Sequence, residues 1–579
     1  MLRSIIQDFF PAVRNDVGSV SVRLTIHHSI YFILLVLLAG SQSLSNWMMS
    51  GMEILLAVNW ALECDFRRKY QTARHSPLLA AFLVLAMVHV IWLIPSHNTS
   101  YGLYDIFCKL PLIAIPLILL SSRPLNKKQL SFLAFFYVGA VFVVTIIGRV
   151  RYATMPDLPY REIIPYISHI RFALNVCLSI ILLLWFCHAN LGSHRKDKRW
   201  KTLTIVSVSL AAAASLVQFL FIIQSYTGLV ILILTTIIVL IVFRPKGRLL
   251  NKTRNNKYSE EKSIEYKNKI ANEEPGINKT IRAFLFSFAA LILVFTALVG
   301  KYIFDYYRPV PLMKQPLAEF TANGNPYQHK QDGLIENGNA VNNYISCKEL
   351  EKEWVKRSNV PMYSVTENSY TVYPTLLRYL NALGTTKDSI GMQLLSDKDI
   401  ALIEKGVANP VYSDGSKLRQ MVYVMLYEYE SSRSLGVVCN FTMLQRIELW
   451  RNAWRVFLKH PVFGTGTGDV ADECKAQLAA DHSPMASQRP RNIHNQYLAL
   501  LVTFGLVGFL IVFAAFIWAI HKERLYKSPI VVAYLCIVLI SFITENTLST
   551  LAGCVFSSLF LCICSSNREV MNDQIQTKP

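Results

Sequence analysis

Charged residues are scarce in this chain: of its 579 residues, 17% are charged and 53% are hydrophobic, and the mean hydropathy is +0.33. Some stretches carry no charge at all, for example 30–39, 174–186 and 498–519. A water-soluble domain normally has about a quarter of its residues charged. Several of the charge-free stretches approach the roughly 20 residues with which a helix crosses a bilayer. The composition excludes an ordinary soluble protein and predicts an all-α polytopic membrane protein.

Basic residues are nearly absent from every second short loop between the apolar segments. The alternate loops 63–75, 121–129, 191–201, 244–279 and 521–527 carry twenty-five Lys and Arg, whereas the intervening short loops carry three. The positive-inside rule places the basic loops in the cytoplasm, and both termini with them. The net charge of +20 therefore mainly reflects topology. A nucleic-acid-binding protein would collect its cations on one face beside stacking aromatics, so no nucleic-acid partner is expected.

About twelve apolar segments qualify as membrane spans. They lie at roughly 25–40, 47–63, 77–95, 104–121, 130–149, 168–189, 202–223, 227–244, 281–303, 495–520, 528–544 and 547–566. The predicted organisation has helices 1–9 in 1–303, with a cytoplasmic loop at 245–280. A mostly helical periplasmic domain follows at 304–494, inserted between helices 9 and 10. Helices 10–12 and a cytoplasmic tail occupy 495–579.

The long polar segment after the ninth span has little net charge. Within 305–493 there are 21 Lys and Arg and 20 Asp and Glu. Turn-forming clusters of Gly, Asn, Pro and Ser divide the segment. Helices are predicted between them at 347–357, 373–383, 397–405, 418–429, 443–459 and 471–480.

The predicted helix 443–459 is the most strongly patterned part of this segment. Its apolar residues recur at helical spacing on one stripe: Met443, Ile447, Trp450, Trp454 and Phe457. Four cations lie off the stripe, and a glycine-rich turn, 464–468, follows Pro461. Arginine forks and glycine-rich backbone suit phosphate oxygens. The alternative is an interfacial helix whose cations meet lipid headgroups. No strand precedes the glycines, so they do not form a dinucleotide fingerprint.

A histidine and an amide stand where the polar segment re-enters an apolar helix. His494-Asn495 is followed by nine residues and then Gly505-x-x-Gly508. Histidine is the side chain best suited to accept a proton near neutral pH. The alternative is a histidine that caps a helix, with glycines that serve helix packing.

Other ionisable residues lie at predicted membrane depth, where they are functional candidates by default. Ser168, His169 and Arg171 open the sixth span on its external side, and a pair of interfacial residues with no role in chemistry is the alternative. Glu53 and Glu545 are isolated acids that could pair with the arginines.

Metal-ligand patterns are lacking. His494 has no second histidine four residues on, and Asp469, Asp472 and Glu473 are typical of a helix start. No metal or other cofactor is therefore expected. The external segment contains three cysteines, Cys347, Cys439 and Cys474, which allow at most one internal disulfide of undetermined pairing.

These motifs together resemble the O-antigen ligase and polymerase superfamily of bacterial envelope enzymes, and within it the O-antigen ligases. His494-Asn495, nine residues and Gly505-x-x-Gly508 resemble the ligase signature. The run from Gln445 to Trp450, leading into His460-Pro461-Val462-Phe463-Gly464-Thr465-Gly466, resembles the family's arginine–aromatic helix and its Pro-x-x-Gly-x-Gly turn. The span count and the large external segment also agree. The motifs cover about 441–512, and elsewhere only the topology matches.

The resemblance implies a membrane glycosyltransferase at the periplasmic face of the bacterial inner membrane. Its donor would be a glycan on undecaprenyl pyrophosphate, and its acceptor a sugar hydroxyl of lipid A–core. The transfer would need neither a metal nor a nucleotide. His494 is expected as the catalytic base and Arg446 as the catalytic cation. Substrate binding is expected from His169, Arg171, Arg451, Arg455, Asn495, Gly464 and Gly466.

One family element is missing, and two other function classes stay open. Family members often carry a Ser-Arg-x-Gly-like element, but here the matching stretch is Ser225-Tyr226-Thr227-Gly228, without arginine. Arg171 or Arg151 could replace that cation. The ten residues between Arg455 and Gly466 resemble a polymerase-type element, so a polymerase or another bactoprenol-glycan transferase is an alternative. A transporter or flippase would instead show internal repeats and central charges.

Overall fold

The structure, a computed structural model, describes residues 19–155, 158–191, 199–242, 279–308, 317–330, 333–365, 371–413, 416–435, 442–486 and 492–568. Most of these residues are helical, as predicted. The predicted cytoplasmic loop 245–280 and the two chain ends fall largely outside the described residues. The contacts divide the chain into two compact units, the first comprising 1–283, 449–481 and 488–579, the second 284–448 and 482–487.

The first unit is built from apolar helices. In chain order they are α1 Ser19–Leu44, α2 Asn46–Leu62, α3 Phe66–Ala73, α4 Pro77–Ile91, α5 Thr99–Cys108, α6 Pro111–Ser121, α7 Lys127–Thr154, α8 His169–Leu191, α9 Arg199–Ile222 and α10 Tyr226–Val242. Helix α11, Lys279–Tyr307, begins in this unit and continues into the second.

Short cap signals in the sequence fix where several of these helices begin. The side chain of Ser76 accepts the Leu79 N–H ahead of Pro77, the first residue of α4. Asn126 and Gln129 form a capping box at the start of α7. The buried core of the unit is continuous, and α8 packs against α9, α2 against α1, and α10 against α20 (Pro529–Thr544).

Six helices of the described chain are long and apolar enough to cross a membrane, or seven if the bent pair α3–α4 is one span. Helices α10, α20 and α21 (Leu551–Ser566) are apolar but shorter. The chain is therefore a multi-pass membrane protein. The count of twelve spans stays a prediction.

The second unit is a small helical fold with a single hairpin among its described residues. Strands β1 (Ile335–Glu336) and β2 (Asn339–Ala340) pair antiparallel. The helices are α12 Cys347–Arg357, α13 Val372–Ala382, α14 Ser389–Gln393, α15 Asp397–Glu404 and α16 Lys417–Leu435. The predicted helices thus exist, with bounds shifted by up to six residues. Glu336, fully buried, pairs with Arg378 at 2.8 Å beneath a core around Trp354 and Leu376.

Three further helices complete the part of the chain that carries the motifs. They are α17 Thr442–Lys459, α18 Val470–Ala480 and α19 Gln496–Lys522. Most of α17 and all of α18 and α19 belong to the first unit. The buried residues Ala453, Val456, Cys474, Ile493 and Val502 join these helices in a separate apolar cluster.

Candidate functional site

His494 is held in an unusual backbone conformation just before α19. Its φ is +55°, in the left-handed region that few residues other than glycine adopt. The Trp450 indole N–H of α17 donates to the His494 carbonyl at 3.1 Å. A backbone held in a sparsely populated conformation by its surroundings is frequent at functional sites.

Two amides next to His494 fasten it to the turn before α21. The Asn495 side chain accepts the Leu498 N–H at 3.0 Å, so Asn495, rather than His494, caps the helix. The Asn495 N–H donates to the Asn546 side-chain oxygen at 2.9 Å. The Gln496 side-chain oxygen accepts the Leu548 N–H at 2.9 Å. The start of α19 and the segment 545–549 are therefore fixed to each other.

This arrangement brings Glu545 beside His494. The His494 Nδ1 and a Glu545 carboxylate oxygen lie 3.6 Å apart. The Glu545 side chain is 9% exposed, whereas that of His494 is 32% exposed. The Nδ1 atom is buried and has no hydrogen-bond partner among the described residues, because 3.6 Å is longer than a hydrogen bond, but the two groups are close enough for a charge interaction. The sequence identified Glu545 as an isolated acid that could pair with an arginine, and it did not link Glu545 to His494.

Arg171 belongs to the same region. It is 9% exposed, near the start of α8. Its guanidinium donates to the Asn546 carbonyl at 3.1 Å and to the Thr547 hydroxyl at 3.2 Å. The Glu545 carboxylate also attracts the Arg171 guanidinium electrostatically. Arg171 therefore supports the turn that carries Glu545. His169, two residues earlier, is partly buried and stacks edge-on against Tyr160.

The cations of α17 have three different environments. Arg446 is buried, with 8% exposure, in the part of α17 that belongs to the second unit. Arg451 is exposed. Arg455 pairs with Asp481 at 2.6 Å, and this hydrogen bond is the main cause that lowers the pKa of the Asp481 carboxyl. The catalytic and binding roles assigned to these residues from the sequence stay predictions.

The apolar stripe predicted on α17 is only partly buried. Ile447 is 53% exposed and Trp454 is 47% exposed. The buried face instead contains Leu449, Ala453 and Val456, one residue away around the helix. The spacing identified the helix correctly, but aromatic residues do not all face the core in a membrane protein.

The backbone N–H groups of the glycine-rich turn form hydrogen bonds within the first unit. The Gly464 N–H donates to the His460 carbonyl at 2.9 Å, and the Gly466 N–H donates to the Thr503 carbonyl at 3.0 Å. These amides are therefore engaged by the protein itself. The expected substrate contact of Gly464 and Gly466 stays a prediction, and the geometry gives both glycines a structural role as well.

Asp469, after this turn, anchors a neighbouring loop. Its carboxylate accepts the backbone N–H groups of His97 and Asn98 at 2.9 and 2.8 Å. Burial alone would raise the pKa of Asp469, but these hydrogen bonds outweigh it and lower the pKa. No group of three His, Cys, Asp or Glu that could hold a metal occurs among the described residues.

The other sequence candidates lie apart from these contacts or outside the description. Ser225 and Gly228 are buried at the start of α10, and the Ser225 hydroxyl accepts the Gly228 N–H. Arg151 donates to the Glu162 carbonyl at 3.1 Å. Cys347 and Cys474 are free thiols, and Cys439 lies outside the described residues.

Comparison with known proteins identifies the segment that contains these motifs. Residues 439–513 match the family model described as O-antigen ligase, which agrees closely with the motif region 441–512 and confirms the resemblance. The chain is also similar to the teichuronic acid biosynthesis protein TuaE of Bacillus subtilis (strain 168), with 29% identity over 126 residues. That alignment covers 20% of this chain and 25% of TuaE, so it spans about a quarter of the relative's length.

Proposed function

We propose that this chain, whose residues 439–513 match the O-antigen ligase family model, transfers a glycan from undecaprenyl pyrophosphate to a sugar hydroxyl of lipid A–core. Family membership supports the coarser statement, a membrane enzyme that transfers polyprenyl-linked glycans. The donor, the acceptor and the location at the periplasmic face of the inner membrane are the proposed refinements. We expect both termini in the cytoplasm and a reaction without metal.

The observation that carries this proposal is the His494–Glu545 pair. Because the His494 Nδ1 is buried and faces the Glu545 carboxylate at 3.6 Å, we assign Nε2 to the acceptor hydroxyl. In the reaction, Nε2 takes the hydroxyl proton while the acceptor oxygen bonds to the anomeric carbon. The bond from that carbon to the pyrophosphate oxygen breaks, and its electron pair leaves with the lipid pyrophosphate. Glu545 stabilises the imidazolium that results.

The leaving pyrophosphate needs positive charge. Fixed cations stabilise charge that develops on a leaving group without reorganising during the reaction. The family resemblance assigns this role to Arg446, with Arg451 and Arg455 on the same helix. Arg171 is proposed to act at the site by holding the turn 545–549 that carries Glu545, to which it donates at 3.1 and 3.2 Å.

A polymerase of the same superfamily is the second candidate. It would extend the glycan on its lipid carrier instead of moving it to lipid A–core. Blotting lipopolysaccharide from a strain that lacks the gene separates the two. Core without attached polymer, with the lipid-linked polymer still present, indicates a ligase. Loss of polymer length indicates a polymerase, and loss of external lipid-linked glycan indicates a flippase.

The deletion strain also tests the role of the His494–Glu545 pair. Complementation with the wild type should restore capped core, whereas complementation with His494→Ala should not. His97→Ala is a matched control, because His97 pairs with Asp469 at 3.3 Å in the same unit but is 97% exposed. It should complement fully. Complementation by a well-expressed His494→Ala variant would refute the proposed chemistry.

A further inference from the structure

Helix α19 is interrupted within a membrane-spanning length. Gly505 has φ +60° and ψ −168°, which no helix accommodates. In an unbroken helix, the N–H groups of Leu506 and Val507 would donate to the carbonyls of Val502 and Thr503. At the break these four groups lose their helical partners. In lipid, water cannot replace them, so another part of the protein must.

The turn after α17, residues 461–466, supplies all four hydrogen-bond partners. The Leu506 and Val507 N–H groups donate to the carbonyls of Pro461 and Val462 at 2.8 and 3.1 Å. The carbonyls of Val502 and Thr503 accept the N–H groups of Thr465 and Gly466 at 2.8 and 3.0 Å. The turn thus replaces the missing helical hydrogen bonds one for one.

Only glycine fits where the two backbones meet. A Cβ on Gly464 would lie 2.5 Å from the Gly505 nitrogen, and a Cβ on Gly505 would lie 2.3 Å from the Val462 carbonyl oxygen. Both residues also have positive φ. The glycine-rich turn and the Gly505-x-x-Gly508 motif therefore pack directly against each other through their backbones.

The far side of the turn is fixed as well. The Trp92 indole N–H donates to the Phe463 carbonyl at 2.6 Å, and the Thr467 N–H donates to the Trp92 carbonyl at 3.0 Å. A Cβ on Gly466 would lie 2.4 Å from the Ser96 hydroxyl oxygen. The turn is thereby clamped between the break in α19 and the end of α4.

We propose that the turn 461–466 and the break at Gly505 form a device that positions His494. The device sets the direction of the half-helix 496–504, and His494 stands immediately before that half-helix. Trp450, on the helix that leads into the turn, holds the His494 carbonyl at the other end. Gly464, Gly505 and Trp450 are therefore positioning residues. This inference rests on the proposed role of His494 as the base.

The test is a double-mutant cycle in purified full-length protein, with an undecaprenyl-pyrophosphate-linked glycan as donor and lipid A–core as acceptor. Gly464→Ala should lower kcat about 100-fold, the order of loss expected from an ångström-scale displacement of a catalytic group. KM for the donor should stay within about twofold. In the His494→Ala background the same change should cause no further loss. Gly324→Ala is the control, since Gly324 has φ +76° but a Cβ there meets nothing.

If the Gly464→Ala variant does not insert into the membrane, a second variant, Trp450→Phe, tests the same proposal. Trp450→Phe removes the indole donor and should lower kcat about two- to tenfold, whereas Trp454→Phe, at a half-exposed tryptophan, should not. Wild-type kcat in a well-inserted Gly464→Ala variant, or in Trp450→Phe, would overturn the device. Equal losses with and without His494 would do the same. Wild-type activity of His494→Ala would instead overturn the proposed function.

Discussion

The Glu545→Gln substitution tests the negative charge beside His494, because glutamine has the same size as glutamate and keeps one oxygen acceptor but carries no charge. At 3.6 Å and an effective dielectric constant of about 20, two unit charges attract by about 4.6 kcal/mol. Water screens the exposed third of His494, so we expect about 1–2 kcal/mol to be lost from the transition state. The corresponding fall in kcat is roughly 5- to 30-fold.

The assay is the steady-state rate of glycan transfer by purified enzyme, with donor and acceptor varied separately. KM for both substrates should change little, because the carboxylate is proposed to act on the imidazolium and not on either substrate. Glu162→Gln, at an exposed acid in the same unit, is the control and should match the wild type. Wild-type kcat in the Glu545→Gln variant would show that the carboxylate does not assist the histidine.

Three further predictions concern other parts of the chain. Burial lowers the pKa of Lys387 from 10.5 to about 7, so the free energy of unfolding should rise with pH between about 7 and 10.5. Lys387→Met removes the titrating group together with its hydrogen bond to Asn381, so the rise in the free energy of unfolding between pH 7 and 10 should become smaller; a rise as large as that of the wild type would contradict this. Arg446→Ala should reduce transfer about ten- to a hundredfold, Lys459→Ala much less, and Arg446→Lys should restore only part; full restoration would exclude bidentate phosphate binding. In a variant without native cysteines, a cysteine near Gly338 should react with an impermeant maleimide in cells with a permeabilised outer membrane and one near Asn255 should not; reversed labelling would refute the topology.

The sequence predicted most of the helices because their signals are local. Hydrophobic spacing and cap residues such as Ser76 and Asn126 act within a few positions of the chain. The face of α17 was harder to predict, because burial of Leu449 and Val456 instead of Ile447 depends on which neighbours pack there. Periodicity identifies a helix without identifying its partner.

The candidate site required the three-dimensional structure for the same reason. His494 and Arg171 were found from the sequence as ionisable residues at membrane depth. Their link through Glu545 and Asn546 joins positions far apart in the chain. The double role of the glycine turn was also hidden, since Gly464 and Gly505 meet through backbone contacts that no residue pattern specifies.

The most direct test of the central claim is the rate of glycan transfer by purified His494→Asn enzyme with saturating donor and acceptor. Asparagine retains hydrogen bonding but cannot accept the proton. General-base assistance contributes roughly 10²–10⁴-fold, so the variant should be nearly as slow as His494→Ala, with donor binding preserved. A rate close to that of the wild type would contradict base catalysis by His494.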